Sequence, residues 1–164
     1  MRPRSLALAA ALACSALAPA PSPARDAPAR PVGFTVSSDL GGGTEIGRAG
    51  STGLGEMELT AGYHVGRGFS PELSLVLGLS PGTYFAIRPG LHYALAETPF
   101  YLRVAFDAST ARGTMQWRWL LAGVGGELRL TDVVGGFAEL DLGVPISPAS
   151  GMPFLARAGI FLSF

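Results

Sequence analysis

Apolar and polar residues alternate along most of the chain from about residue 32 onward. The pattern is clearest in the stretch Pro153 to Phe164, where every even-numbered position is apolar and the odd-numbered positions include Arg157, Gly159 and Ser163. A period of two is typical of a β-strand whose two faces meet different surroundings. Eight such segments follow one another, most of them about ten residues long, which is the length that a tilted strand needs to cross a bilayer. The predicted strands are 32–41, 55–65, 69–79, 83–94, 99–108, 116–130, 133–144 and 153–164.

The two faces of these strands differ sharply in charge. In the second strand, for example, Met57, Leu59 and Ala61 alternate with Glu56 and Glu58. A water-facing apolar belt repeated on every strand would far exceed the few hundred Å² that a soluble monomer tolerates. We therefore expect the apolar face to meet lipid and the charged face to line a lumen. The predicted fold is all-β, an eight-stranded antiparallel up-and-down transmembrane β-barrel over residues 32–164.

The connections between strands alternate in predicted length. Short turns are predicted at 66–68, 95–98 and 131–132, and mostly longer loops at 42–54, 80–82, 109–115 and 145–152. Short periplasmic turns and longer outer loops are the arrangement of outer-membrane barrels. An even number of strands also places both chain ends on one side, which this reasoning assigns to the periplasm.

Aromatic residues on the apolar faces fall at two heights. A girdle of aromatic residues at a membrane interface is typical of such barrels. The girdle predicted at the periplasmic interface consists of Phe34, Tyr63, Phe69, Tyr93, Phe100 and Phe164. Phe85, Phe106 and Phe154 are expected to face outward at the opposite rim.

The sixth strand breaks this pattern, because a regular strand would direct Trp117 and Trp119 into the lumen and Arg118 into lipid. A β-bulge near Gly125-Gly126 would reverse the upper half of the strand. Trp117, Trp119 and Leu121 would then face lipid, and Arg118 the lumen. We favour the bulge, and a regular ladder from Gly123 to Glu127 would exclude it.

Charged residues on the inward faces form a predicted lumen network. Its members are Glu58, Glu72, Arg88, Arg103, Asp107, Glu127, Arg129, Glu139, Asp141 and Arg157. An eight-stranded barrel is just wide enough for side chains to fill it, and arginine can bind carboxylates there through two parallel hydrogen bonds. Simple register sets Gly62 opposite Glu72, Gly125 opposite Glu139 and Gly123 opposite Asp141. We expect a packed polar plug, with a gated path for ions or small solutes as the alternative.

A second alternative is an enzyme that modifies lipid. His64, Ser70, Glu72 and His92 are expected near the periplasmic mouth, with His64 close enough to pair with Ser70. These side chains point into the lumen, away from a lipid substrate, so we predict no catalytic residues and no enzymatic activity. Two histidines and one cysteine offer no metal signature, and the glycine run at 41–43 lacks the following helix of a phosphate cradle. No metal and no cofactor are predicted.

The first 31 residues differ from the rest. Residues 1–24 have the layout of a secretory signal peptide, with arginines at positions 2 and 4 and an apolar run over 6–13. The signal peptide could be cleaved after Ala18, Ala20 or Ala24. Processing as a lipoprotein at Cys14 is a further alternative. Residues 25–31 are predicted to be a proline-rich leader. Twelve basic and twelve acidic residues give a net charge of zero, which argues against a nucleic-acid partner.

With its strand count, charged core, aromatic girdle and ending IFLSF, the chain resembles the small eight-stranded outer-membrane barrels of the OmpA and OmpX kind. The resemblance implies localisation in the bacterial outer membrane after cleavage of the signal peptide. It also implies an assembly signal at Ile160, Leu162 and Phe164 for the barrel assembly machinery. Partners are then outer-membrane lipids and that machinery, and we expect a monomer. The expected function is a non-enzymatic structural or surface role.

Overall fold

The computed structural model describes residues 32–111 and 113–164. The predicted signal peptide at 1–24, including Cys14, and the leader at 25–31 lie outside the described residues. The strands are β1 (Gly33–Gly47), β2 (Gly50–His64), β3 (Phe69–Ser80), β4 (Tyr84–Ala94), β5 (Phe100–Ser109), β6 (Gln116–Arg129), β7 (Val134–Pro145) and β8 (Met152–Ser163). Among the described residues, no helix is long and apolar enough to span a membrane.

Each strand pairs antiparallel with the next, and β8 pairs with β1 to close the barrel. The closure runs from Thr35 opposite Ser163 to Ile46 opposite Met152. Next to this ladder, the Phe34 amide donates to the Phe164 carbonyl at 3.1 Å, and the Phe164 amide donates back at 2.8 Å. A closed ring leaves no strand edge unpaired. The predicted all-β, eight-stranded antiparallel barrel is confirmed.

The two faces of the wall are as different as the alternation predicts. Large apolar side chains are exposed on the outside of every strand, whereas buried carboxylates and guanidiniums fill the inside. We call the end that carries Gly33 and Phe164 the lower mouth, and the end that carries the turn at 48–49 the upper end. Outward aromatic rings pair across strands near the lower mouth: Phe34 with Tyr63 at 4.8 Å and Phe69 with Tyr93 at 4.6 Å between ring centroids.

The loop predicted at 42–54 is wrong, because β1 and β2 continue as a long hairpin with its turn at 48–49. The glycine run at 41–43 lies within β1 and lets the neighbouring strand β8 approach closely. A Cβ atom on Gly41 would lie 2.6 Å from Cγ of Arg157, and one on Gly43 would overlap the backbone of Phe154. The predicted contrast in loop length is lost as well, since the other upper connections span only 81–83, 110–115 and 146–151.

The β-bulge predicted near Gly125-Gly126 is also wrong. The ladder is regular from Gly123 to Gly126 against β5 and from Gly123 to Glu127 against β7, and the Glu127 amide donates to the Pro99 carbonyl at 2.8 Å. The register shift lies higher in β6, where Asp107 pairs with Trp119 and Ala108 with Trp117, so that Arg118 is the extra residue. The carbonyl of Arg118 accepts the Ile146 amide at 2.7 Å, which anchors the irregularity to the loop at 146–151 between β7 and β8.

This shift changes which side chains in the upper part of β6 face lipid and which face the lumen, compared with the prediction. Trp117 faces outward, with 52% of its surface exposed, and its ring meets Phe106 edge-on at 6.1 Å. Arg118 is buried, and Trp119 and Leu121 are buried as well. Trp117 and Arg118 thus lie on the expected sides, whereas Trp119 and Leu121 point into the barrel rather than into lipid.

Candidate functional site in the barrel lumen

Glu58 lies at the centre of the charged lumen and contacts three arginines. It comes from β2, and its side chain is fully buried. Arg88 donates to its Oε2 atom at 2.7 Å and Arg157 donates to the same atom at 2.5 Å. Arg103 donates to Oε1 at 2.6 Å. Four strands are therefore linked across the lumen through one carboxylate.

Arg88 connects Glu58 to a second group of carboxylates. Its Nη1 and Nη2 atoms donate to the two oxygens of Glu56 at 2.5 and 2.7 Å, the bidentate geometry that gives the strongest pairs. Its Nε atom donates to Asp107 at 2.7 Å. Tyr84 adds a hydrogen bond to Glu56 at 3.3 Å. The guanidinium is surrounded by acceptors and has no exposed surface.

Arg103 and Arg157 hold the carboxylates on the other side of the lumen. Arg103 is ion-paired with Glu72 through Nε and with Glu139 at 3.3 Å through Nη1. Arg157 is ion-paired with Glu139 and Asp141. All these side chains are at least mostly buried, so each charge depends on its protein partners rather than on water.

The network carries more negative than positive charge. Three guanidiniums, those of Arg88, Arg103 and Arg157, meet six carboxylates. The carboxylates are Glu56, Glu58, Glu72, Asp107, Glu139 and Asp141. Hydroxyl groups supply further hydrogen bonds, because Ser74 accepts from Arg103 at 2.9 Å and Thr60 donates to Glu58 at 3.2 Å. An excess of buried carboxylate makes each arginine more important than its number of contacts suggests.

Glycines on the wall make room for these side chains. Gly62 opposes Glu72 and Gly125 opposes Glu139, and both predicted registers are confirmed. Gly123 opposes Asp141 as predicted, and a Cβ atom on Gly123 would overlap its carboxylate. A larger side chain at Gly123 would therefore displace a charged partner, whereas one at Gly125 would meet the Tyr101 ring and a Cβ atom on Gly62 would make only ordinary contacts.

An apolar layer closes the lumen above the charged layer. It consists of Leu54, Trp119, Leu121 and Leu155, which are in mutual contact and at most 6% exposed. The Trp119 indole donates to the Gly151 carbonyl at 2.9 Å, so its one polar atom is satisfied. Arg118 covers the Trp119 ring at 3.8 Å from its centroid and pairs with Glu45 at 2.9 Å. The upper end of the lumen is thus filled by packed side chains.

A cavity of about 320 Å³ lies below the charged layer and extends to the lower mouth. Its upper wall includes Asp39, Glu58 and Arg157, and residues around its mouth include Gly33 and Phe164. The lumen therefore has three levels: an apolar layer, a charged layer and a polar cavity.

The structure brings most of the predicted lumen charges together. Those in the network are Glu58, Glu72, Arg88, Arg103, Asp107, Glu139, Asp141 and Arg157. Glu127 lies lower, with its carboxylate 3.5 Å from His92 Nε2. Arg129 lies apart from the network, exposed at the end of β6, where it donates to the Asp132 carbonyl at 3.5 Å. Its guanidinium lies 5.9 Å from the centroid of the Phe161 ring and lines the lower mouth, so Arg129 faces the lumen as parity predicts but takes no part in the charged network.

Three further charged residues of the lumen were missed. Asp39 and Glu56 are buried on the polar faces of β1 and β2, and their inward parity matches that of Glu58. That parity is the sequence signal that would have found both. Glu45 lay in a predicted loop. Arg118 enters the lumen as predicted, but through a register shift at its own position rather than near Gly125-Gly126.

The four residues of the enzyme alternative line the lower cavity. His64 Nδ1 and Ser70 Oγ are 3.0 Å apart, as the predicted pairing requires. Glu72 is bound to Arg103, and His92 faces Glu127. These side chains lie inside the barrel rather than on its lipid-facing wall. Within the described part of the chain, no group of three or more His, Cys, Asp or Glu side chains is arranged to hold a metal ion.

The solved structures with the same architecture include small barrels of bacterial outer membranes. No protein-family model and no curated protein sequence matches this chain. Neisserial surface protein A superposes with a TM-score of 0.58 at 15% identity, covering 80% of this chain and 97% of that one. The N-terminal β-barrel domain of Pseudomonas aeruginosa OprF gives 0.55 at 12% identity, covering 79% and 97%. Ail of Yersinia pestis, solved in complex with the heparin analogue sucrose octasulfate, gives 0.55 at 12%, covering 82% and 100%.

At these identities the likeness is one of fold. The chain has the transmembrane β-barrel fold of the small eight-stranded outer-membrane proteins of bacteria.

Proposed function

We propose that this protein is a non-enzymatic, structural or surface barrel of the bacterial outer membrane whose lumen is closed. The observation that carries the proposal is the stack of two filled layers across the lumen. The charged layer around Glu58 is buried, and the apolar layer around Trp119 lies directly above it. Together the two layers block the lumen, so the barrel spans the membrane without an open path through it.

The outer surface supports the location in a membrane. Exposed apolar side chains cover the wall of every strand, and paired aromatic rings mark the lower interface. Trp117 with Phe106 marks the upper one. Such girdles are the feature by which barrels sit at a fixed depth in lipid. Solved barrels with this fold come from bacterial outer membranes.

The apolar layer argues against the channel alternative. An ion passing Trp119, Leu121 and Leu155 would lose its hydration without gaining polar partners, and hydrophobic constrictions of this kind block conduction. It would then have to separate arginine–carboxylate pairs in the charged layer. Opening a path would require both layers to rearrange.

Two parts of the surface suit contacts with the assembly machinery and with external partners. Ile160, Leu162 and Phe164 point outward at the end of β8, where the assembly machinery would recognise them. At the upper end, the hairpin tip at 48–49 and the loop at 146–151 border a cleft of about 790 Å³. External partners would meet this cleft first, whereas lipids contact the wall. We propose a monomer whose signal peptide is cleaved.

Fractionation of cells that express the full chain tests the location. The protein should enter the outer-membrane fraction and migrate differently on gels before and after heating. Protease added to intact cells should cut only at upper connections such as 146–151. A soluble protein with heat-indifferent migration would overturn the proposal.

Retention of a trapped solute tests the closed lumen separately. Vesicles containing the refolded barrel should hold a small trapped ion as well as protein-free vesicles do, whereas a large porin releases it. Rapid loss through the wild-type barrel would show that the two layers do not seal the lumen.

A further inference from the structure

The lower cavity contains a buried carboxylate that the charged network does not satisfy. Asp39 lines the cavity and is only 4% exposed. Within the described residues, four buried side-chain atoms lack a hydrogen-bond partner: Asp39 Oδ1, Asp107 Oδ2, Arg118 Nε and Ser150 Oγ. Of these residues, only Asp39 lines this cavity. An unpaired buried carboxylate is costly, so it is stabilised either by taking up a proton or by a positively charged partner.

The position of Asp39 explains why no arginine satisfies it. Across the ladder, Asp39 faces Glu58 on one side and Gly159 on the other. Arg103 and Arg157, which also line the cavity, are already bound to Glu58 and Glu139. Gly159 leaves the space that the Asp39 side chain needs, because a Cβ atom there would lie 2.6 Å from Cβ of Asp39.

The cavity as a whole attracts positive charge. Its lining contains six carboxylates and three guanidiniums. The carboxylates are those of Asp39, Glu58, Glu72, Glu127, Asp132 and Glu139. A cavity open at the mouth, with acidic and low-dielectric walls, raises the local concentration of cations.

Part of the remaining wall is aromatic, and the rest consists mainly of serine, threonine and histidine side chains. Tyr101, Phe137 and Phe161 line the cavity, and Tyr101 and Phe161 are buried. Aromatic faces bind organic cations through the ring quadrupole and also accept apolar groups. Carboxylate and aromatic surfaces together therefore favour an ammonium compound with an apolar part over a hydrated inorganic ion.

We propose that the lower cavity is a binding site for a small organic ammonium compound, with Asp39 as its counter-charge and the aromatic walls around its apolar group. The cavity volume of about 320 Å³ lies at the small end of ligand pockets, so the ligand is a compound with about ten non-hydrogen atoms. It enters from the lower mouth and does not pass the charged layer. The site therefore needs no conduction and does not depend on the proposed structural role.

Binding of 2-phenylethylammonium to the full chain, refolded in detergent micelles, tests the proposal by NMR titration of backbone amides. The amides of Asp39 and Gly159 should shift in a saturable way, and neutral 2-phenylethanol should bind at least about tenfold more weakly. The Asp39→Asn variant should lose at least about tenfold in affinity. Glu97→Gln is the matched control, because Glu97 lies exposed in the turn at the same end but outside the cavity.

The wild-type comparison does not depend on any variant. No saturable binding at millimolar ammonium, or equal binding of the neutral alcohol, would overturn the proposal. Equal affinities of wild type and Asp39→Asn would overturn the role of Asp39. If Asp39→Asn does not fold, the ratio of the wild-type affinities for 2-phenylethylammonium and 2-phenylethanol is the second test, and a ratio below about tenfold would count against the site.

Discussion

Replacing Arg88 by methionine removes a positive charge from the most enclosed point of the lumen while keeping most of the side-chain volume. Arg88 makes four hydrogen bonds to carboxylates, at 2.5 to 2.7 Å. Without it, Glu56 and Asp107 lose the ion pairs that the structure gives them. The charged layer would change from six carboxylates against three guanidiniums to six against two.

The expected size of the effect follows from this imbalance. Charge-assisted hydrogen bonds contribute about 1.5–3 kcal/mol each. The sum over four such bonds would overestimate the loss of stability, because the desolvation of the buried ions offsets much of that sum. Breaking a buried pair by removal of one partner costs about 3–5 kcal/mol, since a charge is left without compensation. We expect Arg88→Met to lower the free energy of unfolding by about that amount.

Glu58→Gln is the matched control. Glu58 is as deeply buried and contacts three arginines, as many partners as Arg88 has among the carboxylates, so a count of partners predicts similar losses for the two variants. The charge balance predicts a smaller loss for Glu58→Gln, because five carboxylates would then face three guanidiniums. We expect Glu58→Gln to cost about 1–3 kcal/mol, the loss for imperfect replacement of hydrogen bonds.

Urea unfolding in lipid vesicles measures both variants. Fluorescence of Trp117 and Trp119 reports loss of the barrel, and gel migration without heating gives an independent readout. A larger loss for Glu58→Gln than for Arg88→Met would refute the charge-balance argument. Losses below about 1 kcal/mol for both would show that the layer is hydrated rather than dry. Adding Glu56→Gln to Arg88→Met should recover part of the loss.

Four further predictions follow from the wall and the chain end. Gly123→Val should lower unfolding free energy by about 1–3 kcal/mol because its side chain meets Asp141, whereas Gly82→Ala, in open space, should have little effect in the same urea titration. Leu140→Arg, on the lipid face of β7, should cost about 2–4 kcal/mol by that assay. In the Trp119→Phe variant, brominated lipid should strongly quench the fluorescence of the remaining Trp117. In the Trp117→Phe variant, it should quench that of Trp119 only weakly, and equal quenching in the two variants would contradict the register of β6. Deleting Phe164 should lower the amount of heat-modifiable barrel in outer membranes, and an unchanged amount would refute the assembly signal.

Periodicity was enough to predict the barrel, because an alternating strand has only two ways to face. Once the apolar face is assigned to lipid, Glu58, Arg88 and Arg157 must point into one narrow lumen. Register followed from the short turns, which is why Gly123 lies opposite Asp141 as expected. The paired aromatic rings of the girdle follow from the same alternation.

Irregular backbone limited the prediction elsewhere. The glycine run at 41–43 is compatible with a loop or a tightly packed strand, and only the neighbouring Arg157 and Phe154 distinguish them. The broken alternation in β6 indicates a register shift but not its position, because a shift at Gly125-Gly126 and one at Arg118 both direct Trp117 to lipid and Arg118 into the lumen. Consequently the apolar layer around Trp119, on which the closed lumen depends, was not predicted.

Conductance across a planar bilayer tests the closed lumen most directly. The purified wild-type barrel should insert and leave the current at its baseline, under conditions in which a large porin produces clear steps. Opening the apolar layer by combining Trp119→Gly with Leu155→Gly should leave the charged layer as the remaining barrier and give at most brief events. Stable, discrete current steps from the wild-type barrel would contradict the account.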